Sequence, residues 1–510
     1  MLFTFESIFP TPQILYALRQ RASGFQRIYL VGGVIRDQLL GQESHDLDLV
    51  VNGDVRLLAQ QVANQIDAPF YMMDDEHKTA RIIYQDPNGK RYFIDFARMR
   101  GAVIEQDLTT RDFTINAMAV DIANPERIID PLDGARDVRD KILRACSERS
   151  MVIDAVRVLR AVRQSLAWGF RIEPETLQLI KASADRLPGV SMERRRDELF
   201  RILDGHQVRA AIAILDQVGA LNHVLPELEH IKGVRQTLPH TSDLWEHTLA
   251  TVDWLEKLFD LLVGNRDEDR GANLILGMAV TVLGRFRKAL RDHYSQALNP
   301  ERSIRGLLLL GALYHDIAKP DVQSLDSDGR IHFYDHENYG AEKMSMRGRL
   351  LALSNQEVDR LVKMVGHHMR IHHLANASSE ISRRSIFRYF RVLDSTGVDV
   401  CLLSLADLLA REGVTISPTL WERELGICRQ LLEAWFEKQT ELVAPPRLLT
   451  GSELMDALKL KSGPEIGHLL DTIHEAQAAG QILDRTEALN LARAILAREA
   501  PKDERVDDGV

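Results

Sequence analysis

Two regimes of hydrophobic patterning divide this chain. Up to about residue 145 the apolar positions come in short runs separated by Gly, Asn and Asp. The runs at residues 28–31, 45–49, 69–73, 79–84 and 91–96 predict β-strands. Asp86-Pro-Asn-Gly89 between the last two predicts a hairpin turn. Helical spacing appears between the strands, at residues 11–21 with Pro12 in the first turn, at 34–40 and at 55–66. Beyond residue 150 the spacing becomes three and four almost throughout. At residues 151–163, Val152, Val156, Leu159 and Val162 mark one face of a predicted helix. The pattern therefore predicts an α/β head with a small mixed sheet, followed by an all-α remainder.

Composition narrows the class. A 510-residue chain has room for several domains, and 45% hydrophobic with 27% charged residues is ordinary for a globular protein. The longest apolar stretches, near residues 274–284 and 307–313, fall short of the ~20 residues that span a bilayer. No membrane partner is expected. Cys146, Cys401 and Cys428 are too few and too scattered for a disulfide framework, and no leader is evident; both point to a cytoplasmic location. The net charge of -10 excludes a uniformly basic nucleic-acid binder. Residues 136–209, however, hold 16 Lys or Arg against 11 Asp or Glu, a local basic surface in an acidic protein.

The chemistry concentrates first in residues 30–51, LVGGVIRDQLLGQESHDLDLVV. A strand runs into Gly32-Gly33, whose backbone a triphosphate can approach closely. Arg36 follows on the predicted helix. The next strand carries Asp46 and Asp48 at i and i+2, hence on one face. Paired carboxylates repel unless a cation lies between them, and Mg²⁺ held with substrate phosphates suits the pair. Asp95, on the strand at 91–96, is a candidate third acid for a two-metal site. A lone DxD or a lone Gly-Gly is usually a strand end or a turn. The combination resembles the polymerase-beta-like nucleotidyltransferases, specifically the bacterial class II CCA-adding enzyme and poly(A) polymerase family. Residues 107–121, DLTTRDFTINAMAVD, resemble that family's RRDFTINAMA pattern, with Thr110-Arg111 in place of Arg-Arg. The resemblance implies that Arg111 and Asp112 contact the nucleotide and that Asn116 helps set the fold.

Asp154 and Arg157 fall where the family carries Glu-Asp-x-x-Arg, with Ile153 replacing the Glu. The family uses that Asp and Arg to read the base of the incoming nucleotide. Read as one helix, the pair lies three apart and points the same way, with Arg160 one turn on. Residues 191–203, SMERRRDELFRIL, resemble the family's bracing motif, and residues 448–482 its C-terminal tRNA-holding segment. One departure stands out. Only eleven residues, FARMRGAVIEQ, separate Asp95 from Asp107, where full CCA-adding relatives carry a longer flexible loop.

A second cluster begins after residue 240. His247 falls on an amphipathic helix, His315 and Asp316 end a buried one, and Asp407 lies on another. Imidazoles with carboxylates on buried helices suit a divalent transition metal. The order H…HD…D resembles the HD phosphohydrolase superfamily. His336, His367 and His368 fall between and are candidates for a second metal or a phosphate. Residues 265–299 are expected to be an inserted loop and helix.

The expected organisation is a nucleotidyltransferase head at 1–147, a helical neck and body at 148–232, an HD domain at 233–440, a tRNA-binding tail at 441–500 and a disordered end at 501–510. The expected function is template-independent addition of C or A to the tRNA 3′ end from CTP or ATP, with Mg²⁺ in the head. The short connector favours a partial enzyme that adds CC. The rivals are a poly(A) polymerase of the same family, for which no extended basic tail is seen, a metal-dependent phosphohydrolase with an RNA-binding head, and a simple RNA-binding protein.

Overall fold

A computed structural model describes residues 5–22, 27–74, 78–237, 242–264, 274–300 and 302–499. Parts of two expectations, the loop at 265–273 and the end at 501–510, lie outside the described residues. The chain divides into two compact units, Met1–His206 with Ala210–Val224 and Gln207–Arg209 with Leu225–Val510. The neck residues up to 206 thus belong with the head.

The first unit is built on a seven-stranded sheet. In chain order its strands are β1 (Ile28–Val31), β2 (Asp46–Val51), β3 (Phe70–Asp74), β4 (Thr79–Gln85), β5 (Arg91–Arg98), β6 (Ala119–Asp121) and β7 (Ile128–Ile129), arranged β3-β4-β5-β2-β1-β6-β7. Only the β2–β5 pairing is parallel; the other pairs are antiparallel. The expected turn joins β4 and β5, with Asp86 accepting from the Asn88 and Lys90 amides and Gly89 at φ +83°. β1 is buried along its whole length, as its unbroken apolar run requires. One face of the sheet packs Val31, Val50 and Ala119 on Ile104 and Leu108 of the short Ile104–Thr109 helix. The Val55–Ile66 helix has the predicted bounds, capped by Asp54, whose side chain accepts from the Leu57 amide.

The helix predicted at 151–163 is not continuous. A turn at Ser150–Ile153 stops at Asp154, which is extended (φ -151°, ψ 102°), and a second helix begins at Arg157 and runs to Trp168. The Asp154 side chain accepts from the Val156 amide, a capping bond that competes with helix continuation. Val152, expected on the core face, is exposed. The second helix is tied to the Met192–Leu203 helix through buried Glu198, which accepts from Arg160, Arg163 and Arg201. Burial raises the Glu198 pKa, but the Arg163 and Arg160 guanidiniums outweigh it and hold the carboxyl below its usual range.

The second unit is helical apart from a two-stranded hairpin, Gln323–Leu325 with Ile331–Phe333. Its centre is the Ile304–Tyr314 helix, N-capped by Ser303, which accepts from the Gly306 amide. Leu307 through Leu310 are all buried, as a helix apolar on every side must be. Each contributes about 2 kcal/mol of burial free energy. Around it pack the Leu244–Leu262, Asn355–His367 and Thr396–Glu412 helices. A buried Arg302–Glu357 pair, with both bonds below 3 Å, fixes the start of the Asn355–His367 helix. The C-terminal helices Gly451–Leu458, Pro464–Ala478 and Arg485–Glu499 share their own small core around Leu454, Leu469 and Ala488.

Candidate active site

In the head, strand register assembles the acids. Asp48 on β2 lies directly opposite Asp95 on β5, and Arg81 on β4 lies opposite Asp95 in turn. Residues paired across neighbouring strands share a face, so Arg81, Asp95 and Asp48 form a row with Asp46 beside it. Loss of surrounding water raises the pKa of Asp48 to about 6; the Arg111 guanidinium opposes the shift, while Asp95 and Asp46 add to it. Asp46 is raised for the same reasons, desolvation first and then Asp95. A cation between the two would relieve both effects. Asp95 is engaged otherwise: Arg81 donates to both its oxygens at 2.7 Å. As a ligand for a metal it must first give up one of those bonds.

A cavity of about 660 Å³ opens beside Asp48, lined among others by Gly32, Arg36, Arg111, Asp154, Arg157 and Arg160. Gly32 has φ +81°, and a Cβ there would stand 3.2 Å from both Arg111 Nη1 and Asp48 Oδ2. Glycine is thus required by backbone and by space. The other expected nucleotide residues fall into two kinds. Arg111 donates to Asp107 Oδ2 at the cavity floor. Buried Asp112, Asn116 and Arg36 form a network: Asn116 donates to Asp112 and Gln164 and accepts from Arg36, whose guanidinium also stacks 3.5 Å from the Trp168 ring and pairs with Asp37. Burial opposes ionisation of Asp112, but Arg160 and the Asn116 amide hold its pKa below the usual range. Arg36 and Gly33 thus meet each other: a Cβ on Gly33 would come 3.0 Å from Arg36 Nη2.

The expected base-reading pair needs correction in its geometry. Asp154 and Arg157 both line the cavity but do not share a helix face. Arg157 is buried and donates to the backbone carbonyls of Thr110, Arg111 and Ser150. Asp154 pairs with Arg194 at 2.6 Å. Arg157 therefore holds the Thr110–Arg111 segment in place, while Asp154 keeps a carboxylate at the cavity wall.

The second unit brings His247, His315, Asp316 and Asp407 together, all buried. His247 Nε2 lies 3.0 Å from Asp407 Oδ1 and 3.4 Å from His315 Nε2. Asp316 Oδ1 is buried without a hydrogen-bond donor, 3.3 Å from His336 Nε2 and 3.4 Å from His368 Nε2. Two ligand groups result, one of His247, His315 and Asp316 and one of Asp316, His336 and His368. His315, His336 and His368 each turn Nδ1 to the carbonyl three residues before, leaving Nε2 for the cluster. Burial lowers all four imidazoles and keeps His247 and His368 below the usual range, but Asp316 outweighs it at His315 and His336 and raises both. Ring nitrogens turned inward around an orphaned carboxylate oxygen are a donor set that suits a divalent metal. His367 does not join them; it is half-buried, and His368 takes the place, because only the latter faces the helix core.

An A-adding tRNA nucleotidyltransferase of Deinococcus radiodurans is 30% identical over 90% of this chain and 93% of its own length. The chain belongs to the tRNA nucleotidyltransferase family. A CC-adding tRNA nucleotidyltransferase of Geobacter sulfurreducens is 29% identical over 94% of each. Family models match in three places: the poly(A) polymerase head domain at residues 28–144, the probable RNA and SrmB-binding site of polymerase A at 169–232, and the HD domain at 288–412. A solved Thermotoga maritima CCA-adding enzyme, complexed with tRNA, shares the fold at TM-score 0.56 and 20% identity, covering 95% of this chain and 94% of that one. A CCA-adding enzyme complexed with ATP gives 0.60 at the same identity and coverage.

Within this nucleotidyltransferase fold, sequence reasoning missed Arg81, Lys319, His372 and Glu424. Lys319 pairs with Asp316 at 2.6 Å, and His372 sits between Asp407 and Glu424. Lys319 follows His315 by one helical turn and His372 follows His368 by four residues, signals that were present. Arg81 and Glu424 had none, because strand register and helix packing alone place them. No helix among the described residues is long and apolar enough to cross a membrane.

Proposed function

We propose that this chain extends the 3′ end of tRNA by transferring nucleotides from CTP or ATP, with release of pyrophosphate. The observation that carries it is the meeting of Asp46 and Asp48 with Gly32 and a cavity walled by arginines. Asp46 and Asp48 would hold Mg²⁺, with Asp95 as third acid once Arg81 yields an oxygen. Bound there, Mg²⁺ supplies charge to the triphosphate and acidifies the attacking hydroxyl. Arg111 faces the triphosphate and Asp112, through Arg160, fixes that wall. Asn116 and Arg36 brace the Gly32–Gly33 turn from behind. Asp154 accepts from the amino group that cytosine and adenine share. Incubating the protein with tRNA lacking its CCA end, and with unstructured RNA, tests this reading; equal extension of both would favour a poly(A) polymerase.

The finer assignment is addition of CC. Its support is the connector between β5 and the Ile104–Thr109 helix. Asp107 accepts from the Arg100 amide and Gln106 from the Ala102 amide, so the segment is bolted to the helix that follows. A segment so short and so anchored makes a poor lever for re-aiming Asp154 between CTP and ATP. A second connector that could re-aim it, residues 74–79, lies partly outside the described residues. Sequencing products from tRNAs ending at the discriminator base, at C and at CC decides; complete CCA synthesis sinks the assignment.

The His/Asp cluster supports a second, metal-dependent phosphoesterase activity, with a transition metal as its ion. The five-part division at 147, 232, 440 and 500 serves as a functional map.

A further inference from the structure

Asp407 presents its two oxygens in opposite directions. Oδ1 faces His247 at 3.0 Å and His315 at 3.7 Å, while Oδ2 faces His372 Nε2 at 3.1 Å. The other nitrogen of His372 meets Glu424 Oε1 at 2.8 Å. All three side chains are buried, and they come from three helices, Arg370–Ala377, Thr396–Glu412 and Pro418–Phe436. His372 differs from the histidines of the cluster. His315, His336 and His368 spend one nitrogen on a backbone carbonyl and keep the other for the centre. His372 spends both on carboxylates and has none left for an ion.

We propose that His372 and Glu424 are positioning residues that hold Asp407 as a ligand of the metal cluster. The proposal rests on the metal reading of that cluster. Without the ring, buried Asp407 Oδ2 would lose that partner, and the carboxylate would turn to recover one, taking Oδ1 off the cluster. Glu424 fixes the plane of the ring, so its effect reaches Asp407 only through His372. Partners of this kind behind a ligand typically matter on the order of 10- to 100-fold in metal affinity.

The test is Mn²⁺ affinity by titration calorimetry on the full chain carrying Asp46→Ala and Asp48→Ala, so that the head takes no ion. His372→Leu should weaken Mn²⁺ binding on the order of 10- to 100-fold. Glu424→Gln, which keeps the acceptor oxygen and removes its charge, should weaken it several-fold. Melting curves identify a variant that does not fold; if His372→Leu is one, Glu424→Gln decides. In the otherwise unaltered chain, neither substitution should change nucleotide incorporation. Folded variants that bind Mn²⁺ within about twofold of the parent would overturn the proposal. A parent that binds no Mn²⁺ would overturn it too, by removing the metal reading beneath it.

Discussion

The head and the helical cluster solve one problem, several acids close together, in different ways. In the head, charge is balanced by arginines: Arg81 on Asp95, Arg111 beside Asp48, Arg160 on Asp112. In the helical cluster it is balanced by imidazoles and one lysine around Asp316 and Asp407. Arginines remain charged, so the head keeps a fixed field that attracts polyphosphate. Imidazoles can be neutral, so the cluster offers nitrogens to a metal. Asp48 and Asp154 of the head border an open cavity, whereas the acids of the cluster are buried. One site is built to exchange large anionic substrates, the other to retain an ion.

Two substitutions test that division. Asp48→Ala should reduce nucleotide incorporation by about a thousandfold or more, since it removes a carboxylate that would hold the cation stabilising the reacting phosphate. It should leave metal in the histidine cluster unchanged. His315→Ala should do the reverse, emptying the cluster by elemental analysis while incorporation continues. Loss of both properties in either variant would show that the two sites are not independent.

The same contrast explains what the sequence disclosed. The head's chemistry lies in one stretch of 22 residues, residues 30–51, where strand, turn and strand bring Gly32, Arg36 and Asp48 together locally. That Asp95 lies on a neighbouring strand was legible, but Arg81 was not, because a β4–β5 register decides what faces Asp95. The helical cluster draws ligands from residues 247 to 407. Order along the chain indicated four of them; choosing His368 over His367 needed the helix face. Asp154 was misplaced for a third reason. Period-3.6 apolar spacing continued through it, yet its capping side chain ended one helix and began the next.

Glu198 bears on the arginine side of the comparison. Glu198→Ala leaves three arginines without their buried partner and should cost about 3 kcal/mol at neutral pH. Its folded pKa lies below the unfolded value of about 4.3. Its contribution is therefore complete above that value and is lost as pH falls through the folded pKa. Denaturant melts of wild type and variant should converge as pH falls below the unfolded value of about 4.3; a constant gap would mean that packing, not charge, sets the cost.

Asp154 and Arg157 should separate as their contacts do. Asp154→Ala should cost roughly 1–3 kcal/mol of discrimination for CTP and ATP over UTP and GTP. Arg157→Ala should act mainly on stability, because it takes a donor from three carbonyls, of which that of Arg111 keeps the Ser150 hydroxyl. Equal loss of selectivity in both, at unchanged melting temperature, would restore them as a joint base-reading pair.

The smallest effect is expected in the connector, where it bears on how many nucleotides are added. Gly101 has φ +101°, and a Cβ there would come 2.5 Å from Gln106 Oε1. Gly101→Ala must move that side chain and strain the backbone, costing about 1–2 kcal/mol of stability. Gln106 would then release the Ala102 amide, loosening the segment at one of its two anchors. The Asp107 anchor remains, and with it the path from β5 to the Ile104–Thr109 helix. If the connector is a strut, the variant melts earlier but adds the same nucleotides in the same order. If it is a moving part, the count or order of additions changes, and the argument from its shortness to CC addition fails.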